Sequence, residues 1–464
     1  MENFLKRYFK GDYVIWVIYV LLIMVSIVAI YSAASPLIVN TPKGFIVHIG
    51  FLFTGFIVLM IVYSLPRQYI KILAWAMLAF AFVMQIAAYT PLGSADHRRI
   101  VFFHNIEFQP SEFIKFAIIV ITAYFIDKFQ NPDFLQKNFK LFFAVIWLPL
   151  LLIIPSNGSM GVIILVPIVL MMMIGSVPRK KIMQFVGIPL VFFGVFCFIA
   201  YNIPPETYKK YAKSDTEMSV AKVAVNVMAV PRVHTWVNRI NTHKDKDSDI
   251  ELTQADIKRD EQAERSQCAI YDGKTPVGPG NSFWRNYIPQ GWSDYIFSII
   301  VEEYGIIGAL LVILLFIWLL WRAGVLVKKC ETVYSAIVIV GVATVIVFQA
   351  LVHIGVCTRL FPSTGQPLPL ISKGGTSILI ISAFFGLLLR MSCEVEEVDK
   401  KKVEKENADK KSADTDIVKD EISEEKPEEI LILDNKNEII EENTDEIIEI
   451  SENDEEAKTT EISF

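Results

Sequence analysis

"GWSDYIFSIIVEEYG" (Gly291–Gly305) contains an apolar run, YIFSIIV, suited to hydrocarbon, and yet it carries three carboxylates. Asp294 stands at its mouth, and Glu302 and Glu303 sit side by side about two helical turns further on. Ionised groups inside a membrane are costly, so they face a cavity or a partner. The stretch therefore predicts a helix that enters lipid and gives its acids work to do.

The rest of the chain supplies the lipid setting. Hydrophobic residues make up 53% of its 464 residues, and apolar runs long enough to cross a bilayer recur. About ten spans are expected, near 13–31, 46–64, 70–90, 112–126, 141–155, 159–176, 182–201, 294–320, 332–352 and 376–392. The fold class predicted is an all-α polytopic membrane protein, with its transmembrane domain at 13–392. "PSNGS" (Pro155–Ser159) separates the fifth and sixth spans, so they form a tight hairpin. "YSAAS" (Tyr31–Ser35) resembles a signal-peptide cleavage site, but the apolar region before it is too long and many spans follow. It is read as the end of the first span.

Charge orients the bundle. The short segments 1–12, 65–71, 127–140, 177–181 and 321–331 hold 14 Lys and Arg, whereas the opposite short segments hold five: Lys43, Arg98, Arg99, Arg359 and Lys373. Basic residues favour the cytoplasmic side. Both termini are therefore expected in the cytoplasm, and residues 202–293 form a large extracytoplasmic loop between spans seven and eight. Within that loop, 217–241 has apolar residues at helical spacing with Lys and Arg between them. That pattern suits an interfacial helix on lipid headgroups or a short helix packed on the bundle. The charged stretch 242–267 is expected to be a solvated helical or flexible insertion. Residues 394–464 carry 27 Asp and Glu against 10 Lys. Such a segment cannot bury a core, so 393–464 is predicted to be a disordered, acidic cytoplasmic tail. The five cysteines show no CxxC pairing and no metal-ligand spacing, so no metal site is expected.

Three polar groups interrupt the apolar pattern. In "RRIVFFHNIEFQPSEFIK" (Arg98–Lys115), Pro110 opens a helix that Gln109 or Ser111 can cap. Glu112 and Lys115 are three apart and can pair on one helical face, either to hold the span or to line a polar cavity. Arg98 and Arg99 fall on the outer side against the charge bias, as suits a phosphate. The second group is the opening stretch, where Ser293 or Asp294 begins a helix and Asp294 either caps it or faces a site. Glu302 and Glu303 need cationic partners, for which Lys115 and the outer arginines are available. The third group, "PSTGQPLPLISKGGTS" (Pro362–Ser377), is a re-entrant connection or an anion nest. The nest would use Lys373 with the backbone of Gly374, Gly375 and Ser377 at a helix start. A lipid-phosphate substrate entering sideways and a transported anion both fit these features.

Five motifs in order resemble the SEDS family (RodA/FtsW/SpoVE) across about 10–392. They are "YSAAS", "RR…FQPSEFIK", "GPGNS" (Gly278–Ser282), "IPQGWSDYIFSIIVEEYGIIG" (Ile288–Gly308) and "PSTGQPLPLISKGGTS". The resemblance implies a glycosyltransferase that polymerises lipid II into peptidoglycan with a class B penicillin-binding protein, in the bacterial cytoplasmic (inner) membrane. By that resemblance Asp294 is the essential carboxylate and can act as general base. Undecaprenyl pyrophosphate leaves, and Arg98, Arg99, Lys115 or Lys373 offset its charge. The Glu112–Lys115 pair lines the family's central cavity, with Gln109, Ser111, Glu302 and Glu303 ordering it. A divalent cation is the one cofactor left open, and no nucleic acid is implied. The chain departs from the family pattern at Ile100, Ser156 and His353, and His353 is expected to be a buried bundle residue. "GDYVIWVIYVLL" and "TGQPLPLISKGGTS" look more like the division branch (FtsW) than the elongation branch (RodA). The septum is therefore the expected location, and the acidic tail can dock other division proteins. The competing readings are a lipid-linked precursor flippase and a structural scaffold.

Overall fold

The computed structural model describes residues 10–33, 43–90, 100–102, 106–201 and 254–396. The interfacial-helix expectation at 217–241, the paired arginines Arg98 and Arg99 and the tail beyond residue 396 lie outside them.

Among the described residues the chain is almost wholly helical. Helices run α1 Tyr13–Ala33, α2 Lys43–Ser64, α3 Arg67–Ala87, α4 Pro110–Lys128, α5 Pro132–Ser156, α6 Gly158–Ile174 and α7 Arg179–Tyr201. They continue with α8 Gln254–Asp272, α9 Ile296–Lys329, α10 Val333–Cys357 and α11 Gly375–Glu396. Each expected span falls on one of these helices, and α8 is additional. Seven of them are long and apolar enough to cross a membrane by length and composition. The apolar α6 is shorter. The last helix continues through Glu396, past the expected start of the tail. A short hairpin between α3 and α4 was not foreseen, with Ile100–Phe102 pairing antiparallel to Ile106–Phe108.

The core lies where α4, α6 and α10 pack together. Although α4 carries charges, 15 of its 19 residues are buried, so it is a central helix sheathed by its neighbours rather than a lipid-facing one. Close approach requires small residues. A Cβ at Gly341 of α10 would come within 2.5 Å of the Met171 sulfur on α6. The α5–α6 hairpin turns at Asn157, whose side chain accepts from Met160 N at 3.4 Å and caps α6.

Antiparallel α1 and α9 define two ends. Ser32, near the end of α1, bonds Glu303 near the start of α9 at 2.5 Å. Asp12, before α1, pairs with Arg322 far along α9 at 2.5 Å. Asp294 lies at the Ser32 end. The charged segment expected to be a solvated insertion is instead partly docked at this end, because α8 packs on α9 and α10. It buries Ala263, Ser266 and Ala269, and Asp260 pairs with Arg359 at 2.7 Å.

The single span expected at 294–320 is divided. Gly305 adopts φ 65° and ψ −158°, a region only glycine enters at low cost. The segment before it, Ile296–Glu303, is buried throughout, whereas Ile306 and Ile307 just after it are exposed. Residues 306–329 alone reach roughly 36 Å at 1.5 Å per residue, enough to cross the hydrocarbon.

Candidate functional site

Asp294 sits on a one-turn helix, Gly291–Asp294, entered through Gln290 in the left-handed region (φ 56°). Tyr295 breaks that turn and stands at the N-cap of α9, with no side chain capping the helix. The capping role open to Asp294 is therefore not the one the backbone assigns it. The turn is held by the loop before α11. Lys373 N donates to Trp292 O at 3.0 Å, and Ser372 Oγ donates to Ser293 O at 2.7 Å. Ser372 in turn accepts from Leu368 N at 2.8 Å, which fixes its hydroxyl. Asp294 itself is half-buried on this clamped turn.

Lys373 belongs to the same clamp. Its ammonium lies 5.7 Å from the Trp292 ring centroid, and a Cβ at Gly44 would approach it to 3.3 Å. Burial pushes the Lys373 amine below the ordinary lysine range. Gly375 opens α11 against Phe51, whose ring would lie 2.8 Å from an added Cβ, and Ile378 N reaches back to Gly374 O at 2.9 Å. Gly374 is half-buried and Ser377 is buried.

The first polar group joins the third. Lys115 Nζ is 2.7 Å from Glu112 Oε2, and both side chains are fully buried. Lys115 also donates to Gln349 Oε1 at 2.7 Å, and Gln349 Nε2 donates to Pro367 O at 2.9 Å. A continuous polar path thus runs from Glu112 through Lys115, Gln349 and the Pro367–Ser372 loop to the Asp294 turn. Gln109 occupies the backbone N-cap position of α4, but no side chain caps the helix there. Instead its amide donates to Ser111 Oγ at 3.1 Å. His353 is wholly buried and lies 2.8 Å from Gln366 O, the bundle role expected of it.

Glu302 and Glu303 are expected to need Lys115 or outer arginines, of which Arg98 and Arg99 lie outside the described residues. Among the described residues their carboxylates are held by hydroxyls and backbone N–H groups, with Arg285 within electrostatic range of Glu303. Glu302 accepts from Ser282 Oγ and from Phe283 N at 2.8 Å and Trp284 N at 3.3 Å. Ser32 Oγ donates to Glu303, while accepting from Gly280 N at 2.8 Å. The kink supplies the reason. A helix interrupted at Gly305 leaves its last carbonyls without donors. Val277 N and Gly278 N fill those places, on Glu302 O at 3.2 Å and Glu303 O at 3.0 Å. The two acids and the kink together fasten the "GPGNS" loop beside the Asp294 turn.

Sequence reasoning missed Gln349, Ser372, Ser282 and Ser32. Gln349 had a usable signal, a lone amide in the apolar run of α10. The serines lie inside the motifs YSAAS, GPGNS and PSTGQPLPLISKGGTS, which gave them a place in the pattern but did not point to their partners. Among the described residues no three His, Cys, Asp or Glu side chains converge as a metal cage.

The chain matches the FtsW/RodA/SpoVE family model, described as a cell cycle protein, over residues 12–397. A probable peptidoglycan glycosyltransferase FtsW of Pseudomonas fluorescens (strain SBW25) is 28% identical over 387 residues, 80% of this chain and 86% of that one. One from Enterococcus hirae is 41% identical over 143 residues, 30% of this chain and 36% of that one. A solved chain from a peptidoglycan synthase complex, described as coordinating polymerization and crosslinking, shares the fold. Its TM-score is 0.62 at 18% identity, covering 83% of this chain and 98% of that one.

Proposed function

This chain belongs to the FtsW/RodA/SpoVE family, and from that premise we propose that it is a peptidoglycan glycosyltransferase that builds glycan strands from lipid II. Asp294 is the general base. It takes the proton from a sugar hydroxyl of the acceptor as that oxygen attacks the anomeric carbon of the donor. The bond from that carbon to undecaprenyl pyrophosphate breaks, and the pyrophosphate leaves with the electron pair. Lys373, with Arg98 and Arg99, offsets the charge that develops there. The observation that carries this reading is the clamped turn: a half-buried carboxylate fastened at Trp292 and Ser293 to the loop that bears Lys373. Fixing base and cation on one rigid unit suits a reaction that needs both in register.

The charge bias supports ten spans with both termini in the cytoplasm, which puts Asp294 on the outer face of the inner membrane. Lipid II then enters from the bilayer. The curated relatives named FtsW support a septal role, beside a class B penicillin-binding protein as transpeptidase, with the acidic tail free to dock division proteins. The test is reconstitution of the full chain with its cognate transpeptidase and lipid II in vesicles. Glycan polymers are the expected product. Transfer of lipid II between leaflets without polymer would overturn this reading in favour of a flippase.

A further inference from the structure

The end of the bundle opposite Asp294 carries a cavity that the proposed reaction does not use. It measures about 880 Å³ and lies between the start of α3, the end of α4 and the first half of α5. Its walls divide by chemistry. Arg67 and Lys71 form one side, and Ile72, Trp75, Phe134 and Leu141 form the other. Ile72, Trp75 and Leu141 are exposed, so the apolar wall continues onto the outer surface of the bundle.

The two cations are held in place rather than left to sweep through solvent. The Arg67 guanidinium lies 4.2 Å from the Tyr334 ring centroid. The Lys71 ammonium lies 4.7 Å from that of Tyr334 and 5.1 Å from that of Tyr124. Aromatic faces fix a cation without neutralising it. Arg67 Nε is buried with no hydrogen-bond partner among the described residues. Asp127 and Glu394 lie within electrostatic range of Lys71, as do Arg67 and Lys128, and Glu394 already accepts from Ser335 at 2.6 Å. Positive charge therefore remains at the mouth. Lys137 and Lys140, both exposed, extend it along α5.

We propose that this cavity binds an anionic glycerophospholipid of the cytoplasmic leaflet, with its phosphate at Arg67 and Lys71 and an acyl chain along Ile72, Trp75 and Leu141. The cationic mouth selects the headgroup, and the apolar wall that runs out to the lipid-facing surface selects a molecule with a tail. Basic pockets between helices on the cytoplasmic side suit this class of ligand. The site is independent of the polymerase reading, since it lies at the other end of α4 from Glu112 and Lys115.

The test uses the full chain in nanodiscs with phosphatidylglycerol carrying a photoactivatable acyl chain, and phosphatidylcholine carrying the same group. Phosphatidylglycerol is expected to label peptides 66–75 and 124–141 preferentially, and unlabelled phosphatidylglycerol to compete it away. Phosphatidylcholine is expected to label exposed apolar faces generally, such as Leu190 and Val191 of α7. Arg67→Gln with Lys71→Gln is expected to lower the specific labelling roughly tenfold while leaving α7 unchanged. Should that variant fail to fold, the wild-type competition still decides. Equal labelling of the two peptides by both lipids, or retained labelling in a folded double variant, overturns the proposal. So does displacement of the lipid by free glycerol phosphate at comparable concentration, which would make this a site for a soluble phosphate.

Discussion

Asp294 and Glu302 stand eight residues apart on one stretch of chain, and they differ in burial and in how the backbone around them is held. Glu302 is buried and accepts three hydrogen bonds, two of them from backbone N–H groups. Asp294 is half-buried on a turn whose backbone is fastened to the loop before α11. In one place the carboxylate fastens a loop; in the other the loop fastens the turn that bears the carboxylate. A carboxylate saturated by fixed donors serves structure, and in the proposed function the one on the clamped turn serves the substrate.

Substitutions on the buried side should therefore appear as lost stability. The largest loss is expected for Lys115→Met, which strands the fully buried Glu112 carboxylate and should cost about 3–5 kcal/mol. Adding Glu112→Leu should recover most of it, because the pair as a whole contributes little. A denaturant titration in detergent of the two variants checks both statements. If the double variant is less stable than the single, the pair is itself a source of stability. Next comes Glu302→Gln, which keeps the shape but loses the charge-assisted bonds to Phe283 and Trp284 and should cost roughly 2 kcal/mol. Proteolysis within 277–285 should rise with it. A variant as stable as the wild type with an unchanged cleavage pattern would remove the fastening role. Gly305→Ala forces a side chain into a backbone region glycine alone tolerates, at about 1–3 kcal/mol, read as a lowered melting temperature.

The smallest effect concerns Lys373. Burial lowers its folded-state value below the ordinary lysine 10.5, so the folded chain binds that proton more weakly than the unfolded one. Stability from this group therefore rises as pH climbs through its folded-state value towards 10.5, and its charge is a burden at neutral pH. Lys373→Met should melt slightly higher than wild type while polymerising more slowly. In the wild type the alkaline limb of the rate should fall at a lower pH than a surface lysine would give. A variant that melts lower would show the ammonium to be a structural contact.

Much of the bundle is legible in the sequence because lipid imposes long apolar runs, and those runs coincide with the helices. The Glu112–Lys115 pair is legible too, since a spacing of three on a helix brings two side chains together. Pro110 marks its helix start for a local steric reason. What sequence reading misplaced depends on contacts between distant parts of the chain. Glu303 meets Ser32, 271 residues earlier. Ser372 reaches Ser293 across 79 residues. Hydropathy could not reveal the kink at Gly305 either, because apart from the glutamates before it the stretch reads as one long apolar run. That is why the paired glutamates looked deep in the membrane, when a loop was there to receive them.

The central claim is that Asp294 acts on the substrate while its neighbours build the place where it acts. Asp294→Asn with the cognate transpeptidase and lipid II tests it most directly, read as polymerisation rate beside melting temperature. A loss of at least about 100-fold in rate at an unchanged melting temperature is the predicted result. Polymer at the wild-type rate, or a rate loss matched by an equal loss of folded protein, would contradict it.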